Sequence, residues 1–253
     1  MKIKEGCADR GEVVCEHMKL SIIIPTLNEM FQLRDTLAPL RALQARGHEV
    51  IVVDGGSSDH TAALAQEFAD CVIDSVRGRA RQMNAGAAVA SGDVLLFLHA
   101  DTRLPDQADV LITGALVNGN TAWGRFDVRL SGNQLLLRMI ETLMNRRSRI
   151  SSIATGDQAI FVRRAVFNQV GGYPDIPLME DIALSKLLKR VTRPANLSAR
   201  VVTSSRRWEQ RGIIRTILLM WRMRLAYALG ANPHRLAQLY SQNSSCDTPP
   251  RAS

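Results

Sequence analysis

Four short strings in this sequence place acids, amides, hydroxyls or arginines where an apolar run gives way to a turn. In Pro25-Thr26-Leu27-Asn28-Glu29, a hydroxyl, an amide and an acid can clamp a base and a ribose by hydrogen bonds; Asn28 capping the next helix explains the same residues equally well. In Asp54-Gly55-Gly56-Ser57-Ser58-Asp59, paired glycines let the backbone turn sharply and approach a ligand, with Asp54 accepting from a base or ribose. A tight turn capped by Asp59 is the competing reading. No Lys-Ser or Lys-Thr closes this string, and its spacing is not that of a dinucleotide fingerprint, so neither of those phosphate loops is present. In Arg77-Gly78-Arg79-Ala80-Arg81-Gln82-Met83-Asn84, guanidinium forks suited to phosphates and planar bases stand at the start of an Ala-rich helix, whose N-terminus favours an anion. A solvated basic loop is the alternative. In His99-Ala100-Asp101-Thr102, Asp101 at a strand end can hold a divalent cation that bridges two phosphates. The His99 imidazole, as a second ligand, would suit manganese better than magnesium; a structural histidine stays open.

Two further strings offer proton-transfer and acceptor chemistry. Glu180-Asp181 opens an amphipathic segment, and a carboxylate there can take the proton of an acceptor hydroxyl as a new bond forms. Two acids in a first helical turn are also favourable in their own right. Gly156-Asp157-Gln158 ends a loop before a strand, facing an acceptor or simply closing that loop.

The elements that must position these residues read as α/β. Residues 21–25, 50–54 and 94–98 are continuous apolar runs of the kind buried on both faces of a parallel sheet, and each ends in one of the polar strings. Between them lie helical segments at 32–45, with Pro39 as a kink, at 61–68 and at 80–90; 71–74 adds a short strand. Ligands gather beyond the carboxyl ends of such strands, so the strings should converge on one crevice. Further on, 126–130 alternates like a half-buried strand, 134–147 reads as a helix, 159–162 as a strand and 180–190 as a helix.

Composition bounds the partners. With 46% hydrophobic and 22% charged residues over 253 positions, the chain can bury a large core and is not disordered. Lys and Arg exceed Asp and Glu by 32 to 24, with clustered arginines, which favours anionic ligands; no nucleic-acid module or stacking platform accompanies that charge, and no nucleic-acid partner is expected. The four cysteines lack metal-ligand spacing, and the N-terminal stretch lacks an apolar run, so reduced thiols and a cytoplasmic location are expected. Segment 213–229 is apolar but interrupted by Arg215, Arg222 and Arg224, which argues against a membrane span and leaves two readings: packing on the domain, or peripheral membrane association.

In order and spacing, SIIIPTLNE, VVDGGSSD, the Arg-rich loop and SGDVLLFLHAD resemble the donor half of glycosyltransferase family 2 with its GT-A fold. RGRARQMNAGA, WGRFDVRL, ATGDQAIFVRR, DIPLMEDIALSKLLKR and SSRRWE extend the resemblance to about residue 212, towards a bacterial subgroup named for arsenosugar biosynthesis. The resemblance implies a Rossmann-like, mostly parallel central sheet flanked by helices: an extension at 1–18, a GT-A domain at 19–212 (donor half 19–104, acceptor half 105–212), a helical appendage at 213–241 and a disordered tail at 242–253. It implies an inverting transfer from a nucleoside diphosphate sugar, UDP-linked by family habit, to an unknown hydroxyl acceptor, assisted by Mn2+ or Mg2+. Thr26, Glu29 and Asp54 would hold the nucleoside, with Arg81 near the base or phosphates; Pro25, Asn28, Gly55, Ser57, Arg79, Gln82, Asn84, His99 and Ala100 complete the candidate donor set. Asp101 corresponds to the metal-binding acid of an Asp-x-Asp motif, with His99 where the first Asp is expected, and Asp181 to the catalytic base beside Glu180. Arg207-Trp208 resembles the end of a Gln-x-x-Arg-Trp motif, Ser204 replacing the Gln, and joins Gly156, Asp157 and Gln158 on the acceptor and diphosphate side. A non-catalytic nucleotide-sugar binder and a sugar-phosphate nucleotidyltransferase are the alternatives.

Overall fold

A computed structural model describes residues 18–117, 119–206, 209 and 212–245, with the side chains of residue 214 and of 241–245 outside the description. Three apolar runs become the strands β1 (Leu20–Thr26), β2 (Glu49–Asp54) and β4 (Val94–Phe97), with β3 (Cys71–Asp74) at the edge. Together with β5 (Thr102–Arg103), β6 (Trp123–Leu130), β7 (Ile160–Arg163) and β8 (Ala195–Thr203) they form an eight-stranded sheet in the order β3-β2-β1-β4-β7-β6-β8-β5. From β3 to β4 every pairing is parallel. Beyond β4 the sheet is mixed: β7 runs antiparallel to both β4 and β6, β8 is parallel to β6, and β5 is antiparallel to β8. The expected parallel character therefore belongs to the first half, and a hairpin-like seam joins the second half to it.

The alternation of strand side chains builds two cores from one apolar run. Ile22, Ile24, Val50, Val52 and Leu96 pack into the layer on one face, whereas Ile23, Ile51, Val53, Leu95 and Phe97 pack into the layer on the other. Both faces of these strands are covered, which is why their sequence shows continuous rather than alternating hydrophobicity. The helices covering them are α1 (Met30–Leu37), continued through a 3-10 turn at Ala38–Leu40 into α2 (Arg41–Gln44), then α3 (Thr61–Gln66) and α4 (Arg79–Val89). Pro39 sits in that 3-10 turn, at the expected kink.

In the second half, α5 (Ala108–Val117) and α7 (Arg164–Gln169) were not anticipated, and neither was β8. β8 begins with six residues that are all at least partly exposed, so it carries no apolar signature until Val201. The long amphipathic α6 (Leu135–Ser151) and α8 (Glu180–Val191) match expectation. Two terminal helices follow, α9 (Ile213–Ala228) and α10 (Pro233–Ser245), and α10 carries helix past the expected start of the tail at residue 242. Among the described residues no helix is long and apolar enough to cross a membrane.

Hydrogen bonds pin the strand ends opposite the chemistry-bearing loops. Glu49 accepts from the Ser21 and Ser91 hydroxyls and from the Ser91 and Gly92 amides, which holds the 91–93 turn against the amino ends of β1 and β2. Although burial works against its charge, these donors bring the Glu49 carboxyl down to about 2. Thus Ser91-Gly92-Asp93 has a structural role.

Helix α4 approaches the sheet at Gly86, where a Cβ would stand 2.5 Å from Ile23 Cγ2 and 2.9 Å from Val53 Cγ2. Alanine improves helix propensity by about 1 kcal/mol over glycine, but forcing a methyl against two β-branched core residues costs about 1–3 kcal/mol. Gly86→Ala is expected to lower the urea midpoint, with a net loss of up to about 2 kcal/mol and an unchanged denaturant slope. An unchanged or higher midpoint would contradict this close approach.

Candidate active site

At the carboxyl ends of β1 and β4 lies a cleft of about 310 Å3 walled by Pro25, Thr26, Leu27, Glu29, Arg77, Gly78, Arg79, Gln82, His99, Ala100 and Asp101. Asp157, Thr203, Ser204, Thr216 and Met220 close its far side. The strings that follow β1 and β4 and the string that opens α4 converge here, whereas the string that follows β2 lies outside the wall. A second cavity of about 290 Å3, whose walls include Thr155, Gly156, Met179, Glu180, Asp181, Arg224 and Tyr240, shares Arg79, His99, Asp157 and Met220 with the first.

Several residues expected to touch a ligand instead hold the cleft in shape. Asp54 is 3% exposed; it accepts from the Gly56 and Ser57 amides, the Ser57 hydroxyl at 2.5 Å and the Thr26 hydroxyl at 3.2 Å, so it braces its own turn. Ser57 and Gly55 belong to that turn and lie outside the cleft wall. Asn28, at φ 54°, accepts from the Ser58 amide, while its own amide donates to the Ser57 hydroxyl, fastening the first loop to the second. Buried Gln82 lines the cleft, yet its side-chain amide donates to the carbonyls of Thr26 and Val53, both at 2.9 Å. A Cβ on Gly55 would stand 3.0 Å from that amide nitrogen, so a glycine there lets Gln82 pass. Asn84 makes a reciprocal pair with the Tyr173 backbone at 2.8 and 2.9 Å, fixing the Gly171-Gly172-Tyr173 turn. Arg81 is half exposed, and its Nε donates to both carboxylate oxygens of Asp175, at 2.9 and 3.0 Å, away from the cleft. Gln158 is fully buried in a capping box with Thr155. Arg207 and Trp208 lie outside the described residues.

Arg79, Asp101, His99 and Asp157 do face the cleft. The Arg79 side chain is surrounded by protein on one side and open to the cleft on the other. Burial opposes its charge, but Glu180 first, then Asp157 and Asp181, hold it above the ordinary arginine value. Asp101 receives a long hydrogen bond from the Thr102 hydroxyl at 3.4 Å, and its carbonyl accepts from the Ser204 amide at 3.2 Å. It has no salt bridge among the described residues. A hard divalent cation takes oxygen ligands, so Asp101 fits one position around such an ion, with phosphate oxygens and water completing the set. No cluster of three or more His, Cys, Asp or Glu side chains forms a ready cage among the described residues. His99 lines the cleft and is turned towards the 156–158 turn: Nδ1 lies 3.4 Å from Asp157 Oδ1, and the ring packs so closely on Gly156 that a Cβ there would collide with it. The imidazole braces that turn.

Asp181 sits in the first turn of α8, where Oδ2 accepts from the Gly156 amide at 2.9 Å and Oδ1 from the Ile182 amide at 2.7 Å. Both oxygens are thereby oriented, and the residue lines the second cavity. Its neighbour Glu180 is 6% exposed. Burial, then the Asp181 charge, push the Glu180 carboxyl up to about 7 against the pull of Arg79 and His99. The two acids differ in kind: one partly open and fixed, one buried and titrating near neutrality. Arg77 lines the cleft as its string predicts, whereas Thr216, Met220, Arg224 and Tyr240 are wall residues that sequence reasoning did not single out, because nothing local places them.

The glycosyl transferase family 2 model matches residues 21–170. The chain belongs to glycosyltransferase family 2. Among curated members, a probable glycosyltransferase of Bacillus subtilis, YdaM, is 30% identical over 236 residues, covering 84% of this chain and 55% of the relative. A PGL/p-HBAD biosynthesis glycosyltransferase of Mycobacterium bovis is 34% identical over 170 residues, covering 60% of this chain and 62% of the relative. The chain spans about half the length of the curated family 2 relatives it matches. Among solved structures, the mannosyltransferase PcManGT of Pyrobaculum calidifontis, in complex with GDP-Man and Mn2+, superposes with a TM-score of 0.59 at 21% identity, covering 83% of this chain and 61% of that one. S. aureus TarS 1-349 in complex with UDP-GlcNAc gives 0.59 at 18% identity, covering 74% and 58%. These likenesses establish the GT-A fold for this family 2 domain.

The raised Glu180 value sets a pH test. Between about 4.5 and about 7 the folded chain keeps a proton that the unfolded chain releases, so stability falls as pH rises through that window. Glu180→Gln is expected to match wild type near pH 4.5 and to exceed it by about 2–3 kcal/mol at pH 8, read from thermal unfolding across pH. Parallel curves would contradict the buried-acid assignment.

Proposed function

We propose that the chain transfers a sugar from a nucleoside diphosphate sugar, UDP-linked by preference, to a hydroxyl acceptor by one inverting displacement. The observation that carries this reading is the pair of joined cavities: Asp101 lines the first and Asp181 the second, with Arg79 and Asp157 on the wall they share. In this reading the nucleoside lies along Pro25, Thr26 and Glu29, and the diphosphate reaches Arg77, Arg79 and Asp101. A divalent cation, Mn2+ or Mg2+, held by Asp101 and the diphosphate would neutralise the charge that builds as the leaving group departs. Arg79 adds a fixed positive charge on the same side. Asp181, oriented by the Gly156 and Ile182 amides, takes the acceptor proton as its oxygen bonds to the anomeric carbon, and the bond from that carbon to phosphate breaks on the opposite face. Ground for a donor of this class also comes from the nucleotide sugars named in the complexes of PcManGT and TarS. The subgroup named for arsenosugar biosynthesis remains a resemblance of sequence strings, and the acceptor is taken up below.

A panel of UDP- and GDP-sugars with Mn2+, Mg2+ or chelator, scored for release of nucleoside diphosphate, tests the reading. Asp101→Ala is expected to lose metal-dependent turnover by at least about 100-fold. Asp181→Asn is expected to keep donor binding within about twofold while kcat falls about 100- to 10,000-fold. Absence of binding and turnover with every donor would overturn the proposal, and full transfer by Asp181→Asn would move the base elsewhere.

A further inference from the structure

Helices α6 and α9 diverge to leave an apolar groove of about 570 Å3, with Leu143, Ile150, Ile217, Trp221 and Leu225 among its walls. Four of these five are strongly exposed, Ile150 at 77% and Trp221 at 65%. Contiguous apolar surface of this kind on two facing helices marks a binding surface. The groove does not end blindly: Asp157, Met220 and Arg224 belong both to it and to the cavity that holds Asp181.

At this junction two arginines, Arg147 and Arg224, form no salt bridge among the described residues. Arg147, from the last turns of α6, has buried Nε and Nη2 atoms with no hydrogen-bond partner among the described residues. Leaving a buried donor unpaired costs about 1–3 kcal/mol, more for a charged group. Burial, then the charge of Arg224 on α9, bring Arg147 down to about 10, with Arg125 adding to the repulsion and Asp181 and Asp157 opposing it. Arg224 forms no salt bridge among the described residues. Two guanidinium groups at the inner end of an apolar groove match, by charge complementarity, an anion of tetrahedral or planar oxygens with an apolar chain attached.

We propose that this groove holds the acceptor, a single-chain amphiphile whose phosphate lies between Arg147 and Arg224, whose chain runs between α6 and α9, and whose head group faces Asp181. The assignment rests on the donor reading above, since it gives the hydroxyl acceptor of that reading a chemical class. A flat bilayer does not reach the buried Arg147 nitrogens, and the helical walls offer no strand edge to a peptide. Of the three tryptophans, Trp221 lines the groove and Trp123 is fully buried elsewhere in the core, and loss of the emission change in Trp221→Phe assigns the signal to the groove.

The test is tryptophan emission of the full chain titrated with dodecyl phosphate, dodecyl maltoside or inorganic phosphate, alongside calorimetry of UDP and GDP binding with Mn2+. A saturable blue shift with dodecyl phosphate is expected, at least about tenfold tighter than with dodecyl maltoside and absent with inorganic phosphate. Arg224→Gln and Arg147→Gln are each expected to weaken dodecyl phosphate about tenfold and to leave nucleotide binding within about twofold; Arg224→Gln keeps the test sound if Arg147→Gln unfolds. Equal affinity for the phosphate and the maltoside, or no effect of Arg224→Gln, would overturn the proposal, as would a dimer in sedimentation that dissociates on Trp221→Arg, which makes the groove a self-interface. Loss of the dodecyl phosphate response with nucleotide binding intact sinks the groove assignment alone. An intact response with no nucleotide binding sinks the donor reading instead.

Discussion

Parallel strands buried on both faces must end along one edge of the sheet, and the polar backbone at those ends has to be satisfied without sealing the edge. Much of the candidate site follows from that constraint. The carbonyls of Thr26 and Val53 meet the single amide of Gln82, reaching down from α4. The β2 turn closes on Asp54, and Asn28 ties it to the β1 turn. Each of these bonds removes an unpaired group from the rim while leaving the cleft floor open. The shape of the cleft is therefore set by polar side chains that are already occupied, and its chemistry falls to the few that are not used in this way.

Charge is distributed accordingly. Arg77 and Arg79 line the first cavity with Asp101, Glu180 and Asp181 line the second, and Arg79 and Asp157 belong to the wall they share. Glu180 is the acid that burial penalises, and its neighbour keeps two backbone donors. An acidic cluster lies beside Arg79 at the cleft wall, and the charges of Glu180, Asp157 and Asp181 hold that arginine above its ordinary value without a direct salt bridge among the described residues.

Much of this frame was legible from the chain. Ile22, Ile23 and Ile24 in succession mean a strand with no wet face, and Pro39 marks the break in the first helix. The polar strings were legible as neighbours of a crevice, but not in their division of labour. Asn84 and Arg81 find Tyr173 and Asp175 some 89 and 94 positions away, and no local pattern reveals partners at that range. Within α4, Arg79 enters the cleft while Arg81 leaves it, a difference of two positions that turns the side chain through more than half a helical turn. β8 was illegible because its first half is exposed and its pairing with β6 is set by the sheet, with a register shift at Phe126/Asp127. The arginines of α6 and α9 were visible as charge, but their meeting depends on how two distant helices cross.

The contact of His99 with Gly156 has a mechanical side. One ring from the β4 strand end rests on the backbone of the loop whose amide holds Asp181, so a single glycine stands between the donor edge and the proposed base. The turn is itself closed by the Thr155–Gln158 capping box, so it is held from both ends. Any side chain at position 156 would therefore push His99 and Asp181 apart together, and the smallest residue in the chain sets the spacing between two ionisable groups that come from opposite halves of the sequence.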